Sequence, residues 1–409
     1  MAPLDSAEFV EARPRPAPPQ TQLSSGLIWT FTVAVGVIIM NLSAPQPLIG
    51  PIAASLGMPA EAAGLISTLT LLGYGVGLIF LVPLADLLEN RRLILGTQLC
   101  AVCAALMTAV ITMPLLFLIA LFLLGAACCS IQMLVPLAAS MAPPDRRGRV
   151  VGDIMSGVMV GILLSRPAAG LVASAFGWRA FFVLSAALMA ALMLALWRIL
   201  PERRPHAGLT YPELIASLWT LLRQEPVLRL RSFTAACGLA AFTTFWTAIS
   251  FQLSREPFLL DQGGIAVFSL VGVTAALVAP VAGRMGDRGW SFPATVLCHA
   301  MIAIGFAVAA WGGALSFALG LALLVLAAAC LDIGVIGEQT IGRRSINLLN
   351  PEARGRLNAL FVGLFFLGGS LGPSLAGHAW IGGGWPAVCG LGAVFGLAAL
   401  LANVAWGRR

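Results

Sequence analysis

The chain has 409 residues, of which 59% are hydrophobic and only 10% are charged, and its mean hydropathy is +0.94. Soluble domains carry about 25% charged residues, so this composition excludes a soluble fold and predicts an integral membrane protein. All 24 basic residues are arginine and the formal net charge is +7. Because the arginines lie in short loops between apolar segments, we interpret them as topology signals and expect no nucleic-acid partner.

The chain begins with a tail and continues as a series of apolar segments. Residues 1–23 are proline-rich and mixed in charge, which predicts a disordered tail rather than a signal peptide. Twelve segments then have the length of about 20 residues that a membrane crossing needs. These segments are 25–47, 62–84, 93–113, 115–139, 150–174, 179–199, 232–253, 264–284, 293–311, 314–340, 357–377 and 386–406.

This pattern predicts an all-α membrane protein with two pseudo-symmetric six-helix halves, at 24–199 and 232–409. Residues 200–231 form the longest connection, and Tyr211 to Leu222 has the pattern of a short amphipathic helix at the membrane surface. With the N-terminus inside, 21 of the 24 arginines lie on the inner side. The positive-inside rule therefore predicts that both termini and the linker are cytoplasmic.

Two internal repeats support the division into halves. The motif from Pro144 to Arg149 returns as Pro351 to Arg356, an offset of 207 residues, and Leu84-Ala85-Asp86 returns as Met285-Gly286-Asp287, an offset of 201 residues. With the first offset, three further matches fall in register, namely Gly161 with Gly368, Gly170 with Gly377, and Gly177-Trp178 with Gly384-Trp385. Parallel repeats of this kind are typical of transporters that bind their substrate between the halves.

The turns after spans 2 and 8 carry a charged motif. The first runs from Val82 to Arg92 and the second from Gly283 to Gly289. Both resemble the signature loop of the major facilitator superfamily, in which a Gly stands four residues before an Asp and basic residues follow the Asp. The second turn keeps the Gly and the following Arg, whereas the first has Val82 and Leu87 at those positions.

The resemblance implies that these charged turns act as gates that hold one conformation shut and open in the other. A carboxylate at the end of a helix can pair with loop arginines, and such a pair can break during a conformational change. The alternative is a solvated turn whose charges only set topology. The gating candidates are Asp86, Arg91, Arg92, Arg149, Asp287, Arg288 and Arg356.

Polar residues in spans 1, 4 and 7 give a more specific resemblance. The Gln-Pro-Leu at the end of span 1 and the Phe-Trp-Thr in span 7 resemble a bacterial branch close to the drug:proton antiporters. In that superfamily helices 1, 4, 7 and 10 line the central cavity, which implies that Asn41, Gln46, Gln132 and Trp246 bind substrate. The alternative is that these amides join neighbouring helices.

Arg166 lies past the middle of span 5, where an arginine costs at least about 2.5–3.5 kcal/mol. Its counterpart at the 207-residue offset belongs to Gly372-Pro373, and span 5 of the drug antiporters also carries a Gly-Pro there. We expect Arg166 to bind an anionic group of the substrate or to pair with a coupling acid. The alternatives are a bond to a backbone carbonyl and a side chain that reaches the outer interface.

Asp332 is the carboxylate that lies well within an apolar run, in span 10. A desolvated carboxylate can exchange a proton near neutral pH, so Asp332 is the first candidate for proton coupling and Glu338 is the second. The alternative is that both residues anchor the inner ends of helices. We place Asp332 about two turns from the inner end of span 10 and Arg166 in the outer half, so we predict no direct ion pair between them.

Other features limit the interpretation. The intramembrane Arg of drug antiporters, four residues before a Gly, is replaced by Leu121 before Gly125, and Arg166 interrupts the motif of span 5. His299 and His378 are isolated, and we expect no function for them. The sequence has no nucleotide loop, metal cluster or nucleophile–base set, so we expect neither an enzyme nor a cofactor.

These features predict a secondary transporter of the bacterial inner membrane that works by alternating access. The leading hypothesis is export of a small amphipathic or anionic molecule in exchange for protons, by a monomer in the lipid bilayer. One alternative is an importer or facilitator of a small metabolite without proton coupling. Another, from a different class, is a sensor or scaffold that transports nothing.

Overall fold

The computed structural model describes residues 25–143, 146–202, 210–350 and 353–407. The predicted tail at 1–23 and part of both repeated basic turns lie outside these residues. The described helices are α1 (Ser25–Ser43), α2 (Pro45–Leu56), α3 (Leu65–Phe80), α4 (Asn90–Val110), α5 (Pro114–Ala127), α6 (Ile131–Met141), α7 (Arg147–Phe176), α8 (Trp178–Ile199), α9 (Tyr211–Gln224), α10 (Pro226–Leu253), α11 (Gln262–Phe268), α12 (Val273–Asp287), α13 (Ser291–Gly312), α14 (Phe317–Asn347), α15 (Arg354–Gly369) and α16 (Leu371–Trp406).

Within the described residues, ten helical stretches are long and apolar enough to cross a membrane. One of them, Arg354–Trp406, has 53 residues, more than twice the length of about 20 residues that one crossing needs. It therefore holds two crossings, separated by non-helical backbone at Gly383 and Gly384. The shorter apolar piece Gln262–Gly272 continues into α12 and completes a further crossing. The described part of the chain thus holds twelve transmembrane segments, the number that hydropathy predicts.

The helices form two groups of six crossings. In the first group α1 packs on α7, α3 packs on α5, and α4 packs on α8. In the second group α10 packs on α16 and α15, and α13 packs on α14. The groups meet where α3 lies against α15 and where α7 lies against α11. This is an all-α membrane fold of two six-helix bundles.

Glycines at corresponding positions allow close packing in both bundles. A methyl group on Gly161 of α7 would overlap the carbonyl oxygen of Gly36 in α1. A methyl group on Gly368 of α15 would overlap the side chain of Ala236 in α10. Since the two glycines are related by the offset of 207 residues, the repeat corresponds to the same helix–helix contact in each half.

The repeated Gly-Trp pair marks the same turn in each half. Gly177, between α7 and α8, has φ +83°, and Gly384, between spans 11 and 12, has φ +63°. A residue with a side chain rarely adopts such positive φ values, so both turns require glycine. The tryptophan after each glycine is buried, which fixes where the returning helix starts.

Four of the crossings in the described residues are interrupted within their length, which hydropathy does not predict. Span 1 breaks at Ala44 between α1 and α2, span 4 at Cys128–Ser130, span 8 at Ser269–Gly272, and span 11 at Ser370 between α15 and α16. Breaks in membrane helices occur where backbone lines a protein-enclosed site rather than lipid. Gly272 at the third break faces the charged residues described below.

Span 10 is longer than its hydropathy predicts, because α14 continues to Asn347 whereas the apolar segment ends at 340. Asp332 therefore lies near the middle of the helix instead of about two turns from its end. The prediction that Asp332 and Arg166 lie at different depths is wrong, because polar residues at the end of α14 stay helical instead of forming the loop.

The two bundles are closed together on the face opposite the basic turns. A methyl group on Gly64 would overlap the carbonyl oxygen of Pro373, and the Thr68 hydroxyl donates a hydrogen bond to the Ser370 carbonyl oxygen at 2.9 Å. On the face that carries the basic turns, a cavity of about 520 Å³ lies between the bundles. The structure is therefore open toward the basic face.

The amphipathic helix predicted at Tyr211 to Leu222 is α9, and it contacts both bundles. The Tyr211 hydroxyl donates to the Phe80 carbonyl oxygen at 3.0 Å, and Arg356 Nη1 donates to Ser217 Oγ at 3.0 Å. The helix starts with a capping box in which the Thr210 N–H and hydroxyl donate to Glu213. These hydrogen bonds lower the pKa of the Glu213 carboxyl.

Candidate functional site

Arg166 is buried at the centre of the molecule, with 4% of its surface exposed. Its Nε donates a hydrogen bond to Gln46 Oε1 at 2.9 Å, which joins span 5 to the start of α2 just beyond the break in span 1. Its Nη2 is buried and has no hydrogen-bond partner in the described part of the chain. A buried guanidinium with an unused donor is suited to receive an acceptor from a ligand.

Two aromatic rings of α10 face the Arg166 guanidinium. The Arg166 Cζ lies 4.3 Å from the ring centroid of Trp246 and 5.2 Å from that of Phe242. The two aromatic residues are four positions apart, so they share one face of the helix. Both distances are within the range of a cation–π interaction, which partly offsets the burial of the charge.

Trp246 also connects Arg166 to the carboxylate of span 10. The Trp246 Nε1–H donates to Asp332 Oδ1 at 3.2 Å, and Asp332 is 1% exposed. A methyl group on Gly272 would lie 3.6 Å from Asp332 Oδ2 and 3.9 Å from Arg166 Nη1. The two charged groups therefore face the same small space. We call Gln46, Arg166, Trp246 and Asp332 the central cluster.

Arg166 and Asp332 interact through their charges without forming a direct ion pair. The ion pairs of the described residues join other side chains. Attraction between opposite charges is strong in a buried site of low dielectric constant. A proton or charged group that enters the space between them therefore changes the electrostatic interaction of both side chains.

Gln132 lies apart from the central cluster, in the wall of the cavity at the basic face. Its side chain contacts the buried Tyr74 hydroxyl across from Arg343. Three arginines and one carboxylate line this cavity, namely Arg343, Arg354, Arg356 and Asp86. The rest of the lining is largely apolar, from spans 2, 4 and 11, so the cavity combines cationic groups with apolar surface.

Asn41 has a different environment from the other amides. Its Nδ2 donates to the Val37 carbonyl oxygen at 3.1 Å, and its Oδ1 accepts from Ser185 Oγ at 2.8 Å. The Asn41 side chain is 0% exposed and joins α1 to α8 within the first bundle. In this structure it is a helix-joining residue, the alternative that the sequence left open.

Glu338 belongs to a buried polar network inside the second bundle rather than to the central cluster. Glu338 Oε1 accepts from Thr234 Oγ1 at 2.6 Å, and Oε2 lies 3.2 Å from His299 Nε2 without satisfying hydrogen-bond geometry. Arg231 of α10 lies nearby and donates to Asn403 Oδ1 at 3.1 Å. His299, for which the sequence predicted no function, is thus the neighbour of a buried carboxylate. Sequence reasoning missed this pair because the residues lie on different helices, 39 positions apart.

The gating candidates fall into three kinds of environment. Asp86 faces Arg356 across the two bundles at the basic-face cavity, and Asp287 Oδ1 accepts from Arg344 Nε at 2.9 Å within the second bundle. Arg91 and Arg92 contact residues of their own half, since Arg91 Nη2 donates to the Trp197 carbonyl oxygen at 2.6 Å and Arg92 Nε lies 2.7 Å from Glu89. The third kind is exposed at the surface and comprises Arg149 and Arg288.

Two six-helix bundles that enclose a charged site and open to one face are the architecture of an alternating-access membrane transporter. The sequence agrees, because the family model of the Major Facilitator Superfamily matches residues 31–341. The chain belongs to this superfamily, so it is a multi-pass membrane transporter and not an enzyme.

Known proteins give further points of comparison. The uncharacterized transporter YgaY of Escherichia coli O157:H7 is 38% identical over 384 residues, which cover 94% of this chain and 96% of YgaY. A chloramphenicol resistance protein of Pseudomonas aeruginosa is 24% identical over 291 residues, which cover 67% of each chain. The solved structure of the nucleoside transporter NupG superposes with a TM-score of 0.72 at 15% identity, covering 93% of this chain and 98% of NupG. That likeness concerns the fold alone.

Proposed function

We propose that the protein is a proton-coupled transporter of a small amphipathic anion, with Arg166 as the anion-binding residue and Asp332 as the proton-binding residue. The observation that carries this proposal is the shared space between the two side chains, in which Arg166 Nη2 has no hydrogen-bond partner among the described residues. Gln46 and Trp246 hold the guanidinium in position. Gln132 belongs to the path that leads to the cluster.

The sign of the coupling follows from the two charges. When Asp332 is ionised, its charge compensates Arg166 and opposes the binding of an anion. When Asp332 takes up a proton, the Arg166 charge is free to attract the anion, so proton and anion favour each other's binding. Because each favours the binding of the other, the proton and the anion bind together and move in the same direction. This co-transport differs from the proton exchange that is the leading hypothesis from the sequence.

A second candidate keeps the exchange mechanism. An uncharged amphipathic molecule that donates a hydrogen bond to ionised Asp332 competes with the proton, and competition couples transport in opposite directions. The similarity to a chloramphenicol resistance protein supports this candidate. Under this alternative the protein exports its substrate against an inward flow of protons.

The side of the membrane and the gates complete the proposal. By the positive-inside rule, the basic turns support a cytoplasmic position for the open cavity and for both termini, in a bacterial inner membrane. We propose that Asp86 and Arg356 hold the bundles together at this face when it closes, because they face each other across the halves. The other five gating candidates stabilise the turns within each half. They are Arg91, Arg92, Arg149, Asp287 and Arg288. We expect the monomer to be the working unit, because each bundle pair encloses its own path.

Transport into inverted membrane vesicles tests both candidates. The substrates are radiolabelled naphthalene-1-sulfonate, which stays ionised and does not cross as a neutral acid, and its neutral analogue naphthalene-1-sulfonamide. We expect sulfonate uptake when the outside is more acidic than the lumen, and a loss of uptake in Arg166→Gln. Asp332→Asn mimics the protonated carboxyl, so it should bind sulfonate but lose the response to the pH gradient.

The opposite result separates the candidates. Sulfonamide uptake driven by an acidic lumen, with no sulfonate uptake, would support exchange and reject anion co-transport. Transport that ignores the gradient in wild type and in both variants would remove the coupling role of Asp332 and leave a facilitator. Arg284→Gln, an exposed arginine of the basic face, is the control for the loss of one positive charge.

A further inference from the structure

Besides Arg166, a second buried arginine, Arg343, lies in the wall of the basic-face cavity. Three arginines line this cavity, and two of them are engaged elsewhere. Arg354 Nε donates to the Asn347 carbonyl oxygen at 3.1 Å, and Arg356 Nη1 donates to Ser217 Oγ. Arg343 Nε is buried and has no hydrogen-bond partner in the described ranges. Arg343 is therefore the cavity arginine with an unused donor.

The surroundings of Arg343 provide a binding surface of mixed polarity. Tyr74 faces it from α3, with its hydroxyl against the Gln132 side chain of α6. These three residues come from both bundles, so a ligand between them would contact the two halves at once. The cavity volume of about 520 Å³ is within the range of sites that enclose a small molecule.

Arg343 and Asp332 of the central cluster lie on one face of the same helix. Asp332 and Arg343 are eleven residues apart in α14, which is close to three full turns and about 16 Å along the axis. Arg166, which faces the same space as Asp332, marks the buried end of the path, and Arg343 marks the end that is open to the basic face. The path therefore has a cationic group at each end.

We infer that Arg343 is a capture site for the carboxylate, sulfonate or phosphonate group of an incoming amphipathic anion, which then passes to Arg166. This inference rests on the proposed function and adds an access step that the central cluster does not provide. A guanidinium binds such groups through two parallel hydrogen bonds. The positive cavity concentrates anions at the opening, which raises the association rate more than it slows dissociation.

Stopped-flow fluorescence of naphthalene-1-sulfonate binding to the purified protein in lipid nanodiscs tests the inference. We expect Arg343→Gln to slow association about fivefold and to weaken its dependence on salt, with the dissociation rate unchanged within a factor of two. Arg343→Lys should keep much of the association rate, because it keeps the charge. Arg284→Gln removes one charge from the same face outside the cavity and should leave both rates unchanged.

The Arg166→Gln variant distinguishes the two proposals. If it speeds sulfonate dissociation while Arg343→Gln associates as fast as Arg284→Gln, the capture role of Arg343 is wrong and the proposed function stands. If wild-type protein binds the sulfonate no better than the sulfonamide, both proposals are wrong. An unchanged dissociation rate in Arg343→Gln also shows that this variant is folded.

Discussion

At the scale of single residues, Glu338 and Asp332 show how two carboxylates of one helix acquire different surroundings. Asp332 faces the gap between the bundles and contacts Trp246, whereas Glu338 contacts Thr234 and His299 within the second bundle. Six positions separate them, which turns the second side chain to a different face of α14. Of these two carboxylates, Asp332 is the one that faces the space between the bundles. Glu338, the second coupling candidate of the sequence analysis, is placed to hold the second bundle together.

This difference predicts that Glu338 contributes more to stability than to binding. Glu338→Ala removes the carboxylate that accepts from the Thr234 hydroxyl at 2.6 Å and leaves the nearby buried charge of Arg231 without this opposite charge. Removal of one partner from a buried charge pair costs about 3–5 kcal/mol. We expect a clear drop in the apparent Tm in detergent, with a smaller drop for Glu338→Gln, which keeps a hydrogen bond to Thr234. Thr340→Ala, on the same helix, is the control, since its hydroxyl bonds only its own helix at Ile336. Equal Tm values for Glu338→Ala and Thr340→Ala would contradict the prediction.

At the scale of helices, the duplicated glycines predict where the bundles tolerate no added volume. Gly161→Ala places a methyl group against the backbone of Gly36, and backbone cannot move aside as a flexible side chain can. We expect α1 and α7 to separate and the apparent Tm to fall by several degrees, since overpacking costs about 1–3 kcal/mol. Gly152→Ala on the same helix meets nothing within 4 Å and should raise or preserve the Tm. A Gly161→Ala protein as stable as Gly152→Ala would show that the two helices are not held this closely.

The helices also show what the sequence can and cannot predict. Apolar length and arginine placement predict the twelve crossings and the two halves, because lipid exposure demands them of every segment. The breaks at Ala44, at Cys128–Ser130 and at Ser269–Gly272 are not predicted, because average hydropathy ignores local backbone geometry. The end of α14 was read as a loop because Arg343 and Arg344 are polar, yet contacts to Tyr74 and Asp287 keep them on a helix.

Four of the residues that the sequence singled out lie together in the structure, but the sequence did not predict that they meet. Arg166, Gln46, Trp246 and Asp332 were each singled out, since polar groups in apolar spans are costly and therefore informative. The sequence does not predict that these residues lie together, because hydropathy ends span 10 too early and so places Asp332 at the wrong depth. Arg343 was not singled out as a site residue because it falls in a stretch that looked like an ordinary basic turn.

At the scale of the whole molecule, the closed face predicts how the equilibrium between conformations can be shifted. Gly170 of α7 packs against Ala266 of α11, where a methyl group on the glycine would lie 2.9 Å from the Ala266 side chain. Gly170→Leu should hold the bundles apart on the closed face and favour the conformation that is open there. We expect faster hydrogen exchange in Gln262–Phe268 and slower exchange around the basic-face cavity.

The same exchange experiment has a matched control. Gly390→Leu adds the same volume at an exposed glycine with nothing within 4 Å, so it should leave exchange in both regions unchanged. Equal rates of hydrogen exchange in Gly170→Leu and Gly390→Leu would mean that the contact between α7 and α11 does not decide which face is open.

The linker helix α9 has a consequence for the range of molecules that can enter. Tyr211 is hydrogen-bonded to the first bundle and Ser217 to the second. Six residues of one helix separate them, so the two contact points are about 9 Å apart along the axis of α9. Because α9 is bonded to both bundles, its fixed length limits how far the bundles can separate at the opening of the basic-face cavity. The breadth of a molecule, and not only its charge, is then filtered before it reaches any binding group.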